Sequence, residues 1–359
     1  MINKAIEKLK SESVNHQRSL YFNNMAVYNL LYYGVDVKES IGKHTDTVRL
    51  IDGKHPLNND FYIAEEVTIK GHHDKRPDVV LYVNGIALAV IELKKSSKDI
   101  GEGIRQNLTN QQADFIQDFF STIQFCFAGS DSEGLRYGAI GTTSKYYLKW
   151  REDEEVYEPE LLDKYLKKLC NKTRFLEILH DFILFDDGKK KLPRYHQYFG
   201  IKESQKHVAR KESGIIWHTQ GSGKSITMVL LAKWILATNP NARIAIITDR
   251  TELDTQIKKV FANAGDKTMV RAKSGEGLNA QAESGGAAPD CSLVHKFGKS
   301  QDKQFDDFIK EIQNNPPKVK GELFVFVDEC HRTQSGRLHT VMKAILPQAG
   351  SSASLVLLC

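Results

Sequence analysis

The run Gln220-Gly221-Ser222-Gly223-Lys224-Ser225 separates two apolar stretches, Gly214 to Trp217 and Lys224 to Leu236. A glycine-rich turn that ends a strand and opens a helix restricts the chain to a parallel α/β sheet. Apolar runs at 242–248 and 323–327 read as further strands of that sheet. The segment 192–359 is therefore expected to form one α/β unit.

Such a turn is built to hold phosphate. Gly221, Ser222 and Gly223 let backbone N–H groups approach the anion, and the helix start adds its positive end. Lys224 would reach the β- and γ-phosphates of ATP. Ser225 and Asp328 would hold Mg2+, and Glu329, directly after an apolar strand, would polarise an attacking water. His218 stands where the longer consensus has its first glycine. Cys330 replaces the usual Ala of an Asp-Glu-Ala-His box and reads as a small buried filler. Upstream, Gln197 in Arg194-Tyr195-His196-Gln197 is placed to read adenine through its amide. Thr248-Asp249-Arg250 is either an ordinary strand end or a contact to a nucleic-acid backbone.

A second constellation lies near the N-terminus. From Asp78 to Glu92 two apolar, β-branched runs flank Asn84-Gly85, a strong hairpin signal. Both faces of both runs are apolar, which predicts central strands. Asp78, Glu92 and Lys94 close these runs. Two carboxylates and the Leu93 carbonyl offer oxygen ligands to a magnesium-like ion. Lys94 could orient water or stabilise the pentavalent phosphate of a metal-dependent nuclease. Glu92 and Lys94 share a face by strand alternation. A two-residue turn alone would turn Asp78 away from them. The reading therefore requires a bulge, expected at Gly85 within a three-residue loop. The plainer alternative, charges that merely end a buried hairpin, stays open on these residues alone.

Length and composition frame the two constellations. The chain has 359 residues, which suits two domains. Boundaries are expected at 1–155, at a charged helical linker over 156–191, and at 192–359. Gly101 to Phe120 reads as a helix, 186–191 as an exposed part of the linker, and 273–290 as a flexible surface loop. The net charge of +5 is compatible with nucleic acid without arguing for it. Cys126, Cys170, Cys291, Cys330 and Cys359 lie far apart, which points to reduced thiols in a cytoplasmic protein, with no disulfide framework and no zinc site. No signal peptide or membrane span is read.

Together these residues resemble the restriction (R) subunit of type I restriction-modification enzymes. The resemblance runs from about residue 20 to about 348. It rests on Asn58-Asn59-Asp60-Phe61, Arg76-Pro77-Asp78, Val83-Asn84-Gly85, Glu92-Leu93-Lys94, Tyr147-Leu148-Lys149-Trp150, Trp217-His218-Thr219 and Asp328-Glu329-Cys330-His331. It implies a PD-(D/E)xK nuclease-like domain followed by a RecA-like P-loop domain of a superfamily 2 helicase. It further implies ATP-driven translocation and Mg2+-dependent cleavage of double-stranded DNA, with modification (M) and specificity (S) subunits as partners. Gln106 matches a glutamine the family carries after its nuclease strands. Asn110 stands where the family often has Tyr, leaving Gln111 or Gln112 as substitutes. No outer carboxylate is found in the first helix. The end, Gly350 to Cys359, departs from the family and reads as a truncated tail. Its apolar run 354–358 is expected to fill a parallel strand slot. No second motor domain follows, so ATP turnover is expected to be negligible. The alternative function is a catalytically incomplete module that only binds DNA or partner subunits.

Overall fold

A computed structural model describes residues 1–38, 44–152, 160–219, 221–248, 269–272, 290–295, 322–328 and 353–358. They belong to two compact units, Met1–Tyr195 and His196–Cys359. Among the described residues no helix is long and apolar enough to cross a membrane.

The first unit opens with helices α1 (Ile2–Ser13) and α2 (Leu20–Tyr33) and a small hairpin, β1 (Val35–Lys38) with β2 (Thr45–Val48). Its main sheet comprises β3 (Phe61–Glu65), β4 (Val79–Val83), β5 (Ile86–Leu93), β6 (Phe125–Ser130), β7 (Gly134–Gly138) and β8 (Leu148–Lys149), in that spatial order. Only β5 and β6 run parallel, and α3 (Gly101–Asn110) makes that crossover. The apolar strands β4 and β5 are interior, as their two-faced pattern predicts. Val80, Val83, Leu88, Ala89 and Val90 are almost fully buried.

The hairpin contains its bulge, but not where the sequence placed it. Asn84 and Gly85 take φ of 51° and 78° and form a two-residue turn, with Val83 opposite Ile86. The register then shifts. Tyr82 faces Ala87, whereas Leu81 faces Ala89, so Leu88 is the extra residue. The physical reason lies at Asn84. Its side chain accepts from the Asp60 N–H and donates to the Leu50 carbonyl and to Asn59, which fixes the tight turn. The surplus residue goes instead to Leu88, whose side chain is fully buried.

Helix α3 is shorter than the expected 101–120. It ends at Asn110, and a 3-10 turn forms only at Gln117–Ser121. The Phe115 carbonyl accepts from the His72 N–H, and Gly71 sits so close that a Cβ there would lie 2.2 Å from that oxygen. A helix continuing through 119 would need that carbonyl for its own ladder.

The stretch read as a linker belongs to the first unit. Helix α4 (Leu161–Leu169) packs on β6 and β7, and α5 (Lys172–Asp181) follows it. Glu152 ties them together, accepting from Trp150 Nε1 at 2.6 Å and pairing with Lys168 and Arg174. The run 186–191 is exposed only at its turn, Asp187 to Lys189. It spans a hairpin of β9 (Leu184–Asp186) and β10 (Lys189–Lys191), and Lys190 is buried. Its ammonium group donates to Asn24 Oδ1 at 2.8 Å and to Gln124 Oε1, and lies over the Phe185 ring. Asn24 in turn donates to the carbonyls of Phe120, Ser121 and Ile123. Burial pulls the Lys190 pKa well below that of an ordinary lysine.

In the second unit, α6 (Tyr195–Ala209) precedes β11 (Gly214–Ile216), α7 (Lys224–Thr238) and β12 (Ala242–Thr248). Strands β13 (Met269–Ala272), β14 (Asp290–His295), β15 (Glu322–Asp328) and β16 (Ala353–Leu358) complete a six-stranded sheet ordered β11-β16-β15-β12-β14-β13. Every pairing in it is parallel, as the alternation of apolar runs predicts. The apolar tail does fill a strand slot, with β16 between β11 and β15. The loop expected at 273–290 lies outside the described residues, except Asp290, which opens β14.

Candidate functional site

Continuing the β4–β5 register by one residue sets Asp78 opposite Glu92. The Leu88 bulge is what brings them to one face, since each strand residue reverses side-chain direction. Asp78 is held at both ends. Its carbonyl accepts from the Glu66 N–H at 2.9 Å, and Oδ2 accepts the Leu93 N–H at 2.6 Å. The neighbouring Arg76 anchors to the Glu66 carbonyl and carboxylate.

Glu92 is fully buried, and its Oε2 has no protein partner. Burial, then the charge and hydrogen bond of Asp78, push its carboxyl up to about 8, while Lys94 pulls the other way. Lys94 Nζ donates to Gln106 Oε1 at 2.8 Å and to the Leu93 carbonyl at 3.1 Å. Helix α3 brings Gln106 this close because Gly103 packs against β5. A Cβ there would lie 3.3 Å from the Glu92 carbonyl. Asp78, Glu92, Lys94 and Gln106 therefore form one cluster.

Two further residues border it. Asn110, at the position where the resemblance wanted Tyr, donates to Glu92 Oε1 at 3.4 Å. Gln111 is occupied elsewhere, bonding the Asn107 carbonyl and the Gly141 N–H; Gln112 is exposed. Tyr147 was missed as a site neighbour. Its hydroxyl is buried without a protein partner, and burial, then the Cys126 and Glu92 charges, raise its pKa well above the ordinary value. Gly138 makes room for its ring, 3.0 Å from where a Cβ would sit. The resemblance includes Tyr147, but nothing local in the sequence ties it to Glu92, whose charge reaches it from another part of the sheet.

Among the described residues no three carboxylate, imidazole or thiol groups converge. The donor set is two facing carboxylates and a neighbouring backbone carbonyl. Facing carboxylates disfavour joint ionisation, and the orphaned Glu92 oxygen lacks a positive partner. A hard divalent cation answers both.

In the second unit the residues read as a phosphate loop form an open turn. Gly221 and Gly223 take φ of 76° and 86°, and nothing lies within 4 Å of a Cβ at Gly221. Helix α7 begins at Lys224, whose Nζ is 3.3 Å from the His218 carbonyl, with Ser225 next to it in the first turn. Ser222 is buried, and its hydroxyl has no protein partner. Gln197 is buried, with its amide directed at the Ser222 and Gly223 carbonyls. His218 lies edge-on to His196, at 5.0 Å between ring centroids. Burial, then His196 and Lys224, lower its pKa. Asp328 ends β15; its side chain, like Gln220 and Glu329, lies outside the described residues, as does Asp249-Arg250.

Residues 1–145 match the family model described as type I restriction enzyme R protein N terminus, and residues 196–353 match that of the SWI2/SNF2 ATPase. The HindI endonuclease subunit of a type I restriction enzyme from Haemophilus influenzae is 29% identical, aligned over 91% of this chain and 33% of its own length. The SsaAORF53P endonuclease subunit from Staphylococcus saprophyticus is 24% identical, over 82% of this chain and 31% of its own. The chain thus spans about a third of the length of these relatives. The UvsW helicase from Bacteriophage T4 aligns at a TM-score of 0.33 and 14% identity, over 57% of this chain and 61% of that one, a likeness too low to bear on the fold. The chain is thus similar to the endonuclease subunits of type I restriction enzymes, with residues 1–145 similar to the R protein N terminus and residues 196–353 to the SWI2/SNF2 ATPase.

Proposed function

We propose that the first unit is a PD-(D/E)xK-type nuclease that cuts double-stranded DNA with Mg2+, and that the second is an ATP-binding motor module. Together they would work as the motor and endonuclease part of a type I restriction complex with modification and specificity subunits in the cytoplasm. The observation that carries the reading is the convergence of Asp78, Glu92 and Lys94 on one face through the Leu88 bulge.

Asp78, Glu92 and the Leu93 carbonyl would hold the cation, which supplies an activated water and neutralises charge on the phosphate. Lys94 is preset by Gln106, so its ammonium group can donate to a phosphate oxygen as negative charge builds. Asn110 fixes the Glu92 carboxylate from behind. In the motor module, Lys224 and the Gly221–Gly223 amides would take the phosphates of ATP. Ser225 and Asp328 would take its magnesium, and Glu329 its attacking water.

The test pairs two readouts on the chain and on its assembled complex. Asp78→Ala and Lys94→Ala should abolish Mg2+-dependent cleavage and leave binding of a fluorescent ATP analogue intact. Lys224→Ala should do the reverse to nucleotide binding. Cleavage that survives both nuclease-site changes sinks the assignment.

A further inference from the structure

The phosphate loop is clasped from behind by the start of α6. His196 Nε2 lies 3.0 Å from the Ser222 carbonyl. Gln197 Nε2 lies 3.4 Å from the same oxygen and 3.0 Å from the Gly223 carbonyl. A carbonyl only accepts, so the His196 nitrogen must carry its proton towards the loop. Across a planar trans peptide the carbonyl and the following N–H point in opposite directions. Drawing the Ser222 carbonyl towards α6 therefore turns the Gly223 N–H to the other side, while the Gly223 carbonyl, which also accepts the Thr227 N–H at 3.1 Å, sets the Lys224 N–H. Those are amides that a phosphate at the start of α7 would use.

We propose that His196 is a positioning residue for the polyphosphate of a bound nucleotide, setting the direction of the Gly223 N–H group through the Ser222 carbonyl. The inference rests on the ATP-binding reading of the loop and adds to it a residue outside the loop. Gly223 is the point where the clasp closes. A Cβ there would stand 2.5 Å from Gln197 Nε2, so only glycine admits the amide. The neighbouring His218 ring lies 3.5 Å from where a Gly200 Cβ would sit and meets His196 edge-on. His196 thus has two separable features, a donor aimed at Ser222 and a ring packed on His218. Only the donor can orient a peptide.

Two substitutions separate them. His196→Phe keeps a ring and removes the donor; His196→Gln keeps a donor of similar reach and removes the ring. Affinity is read with a fluorescent ATP analogue and by competition with MgATP and inorganic tripolyphosphate, alongside the thermal midpoint without ligand. His196→Phe should weaken both polyphosphate ligands about tenfold, the scale of one lost hydrogen bond. His196→Gln should recover most of that loss. Equal affinity in wild type and His196→Phe, or a larger loss in His196→Gln than in His196→Phe, overturns the proposal. If wild type binds neither ligand, or if Lys224→Ala binds both as well as wild type does, the ATP-binding reading itself fails and this proposal with it. Failure of the His196 variants alone leaves that reading standing.

Discussion

Asp78 Oδ2 accepts the backbone N–H of Leu93 at 2.6 Å, so one carboxylate is fastened to the strand that bears the other. Glu92 cannot move away from Asp78 without disturbing the β5 backbone. Its raised pKa of about 8 follows first from burial and then from the charge of Asp78 held beside it.

That shift has a sign. Between the ordinary carboxylate range and about pH 8, the folded protein without metal binds a proton at Glu92 that the unfolded chain has lost. This group's contribution is therefore present at low pH and is lost as pH rises through that window. The thermal midpoint without metal should fall from pH 5 to pH 8, and Glu92→Gln should flatten part of the fall. Parallel curves for the two proteins would contradict the assignment.

Lys190 gives the opposite slope in a different part of the unit. Its folded pKa is depressed, so between that value and the ordinary lysine value the unfolded chain holds the extra proton. Its effect on stability improves as pH rises through this window. Lys190→Met removes the slope and strands Asn24 Oδ1 and Gln124 Oε1. Denaturation at pH 7 and pH 9.5 should show wild type gaining on the variant at the higher pH.

Asn84 should matter more than an exposed turn residue usually does. Asn84→Ala forces φ of 51° on a residue that resists it and removes bonds to Asp60, Leu50 and Asn59. The expected cost is about 1–3 kcal/mol. Asn84→Gly keeps the turn conformation and should lose less. Urea denaturation of both variants checks the order.

Gly223→Ala should lower nucleotide affinity tenfold or more. The left-handed φ of 86° costs about 1–2 kcal/mol for any L side chain, and the new methyl displaces Gln197. Titration with the fluorescent ATP analogue measures this. Unchanged affinity would mean that the loop binds phosphate in another shape.

Much of this was legible because the signals were local. The phosphate loop is contiguous, and the apolar runs around Asn84-Gly85 could only be interior strands. Convergence of Asp78 with Glu92 was legible as a requirement. Its route was not, because Leu88 looks like every other apolar residue in a strand buried on both faces. Lys190 was misread for a related reason. Three lysines in a row look solvated, and only Asn24 and Gln124, far away in sequence, make a buried one tenable. Beyond the early end of α3, the Phe115 carbonyl is claimed by His72, again from a distant segment.

The surplus residue at Leu88 carries no charge and is fully buried, yet it sets the parity of the hairpin. Losing or gaining one apolar residue between Gly85 and Glu92 would leave Asp78, Glu92 and Lys94 all present in the gene. The sheet could still form, and a search for the motif letters would still succeed. The two carboxylates would then stand back to back across the sheet. Among homologues, the length of this short apolar stretch is therefore a sharper marker of a working centre than the acidic residues at its ends.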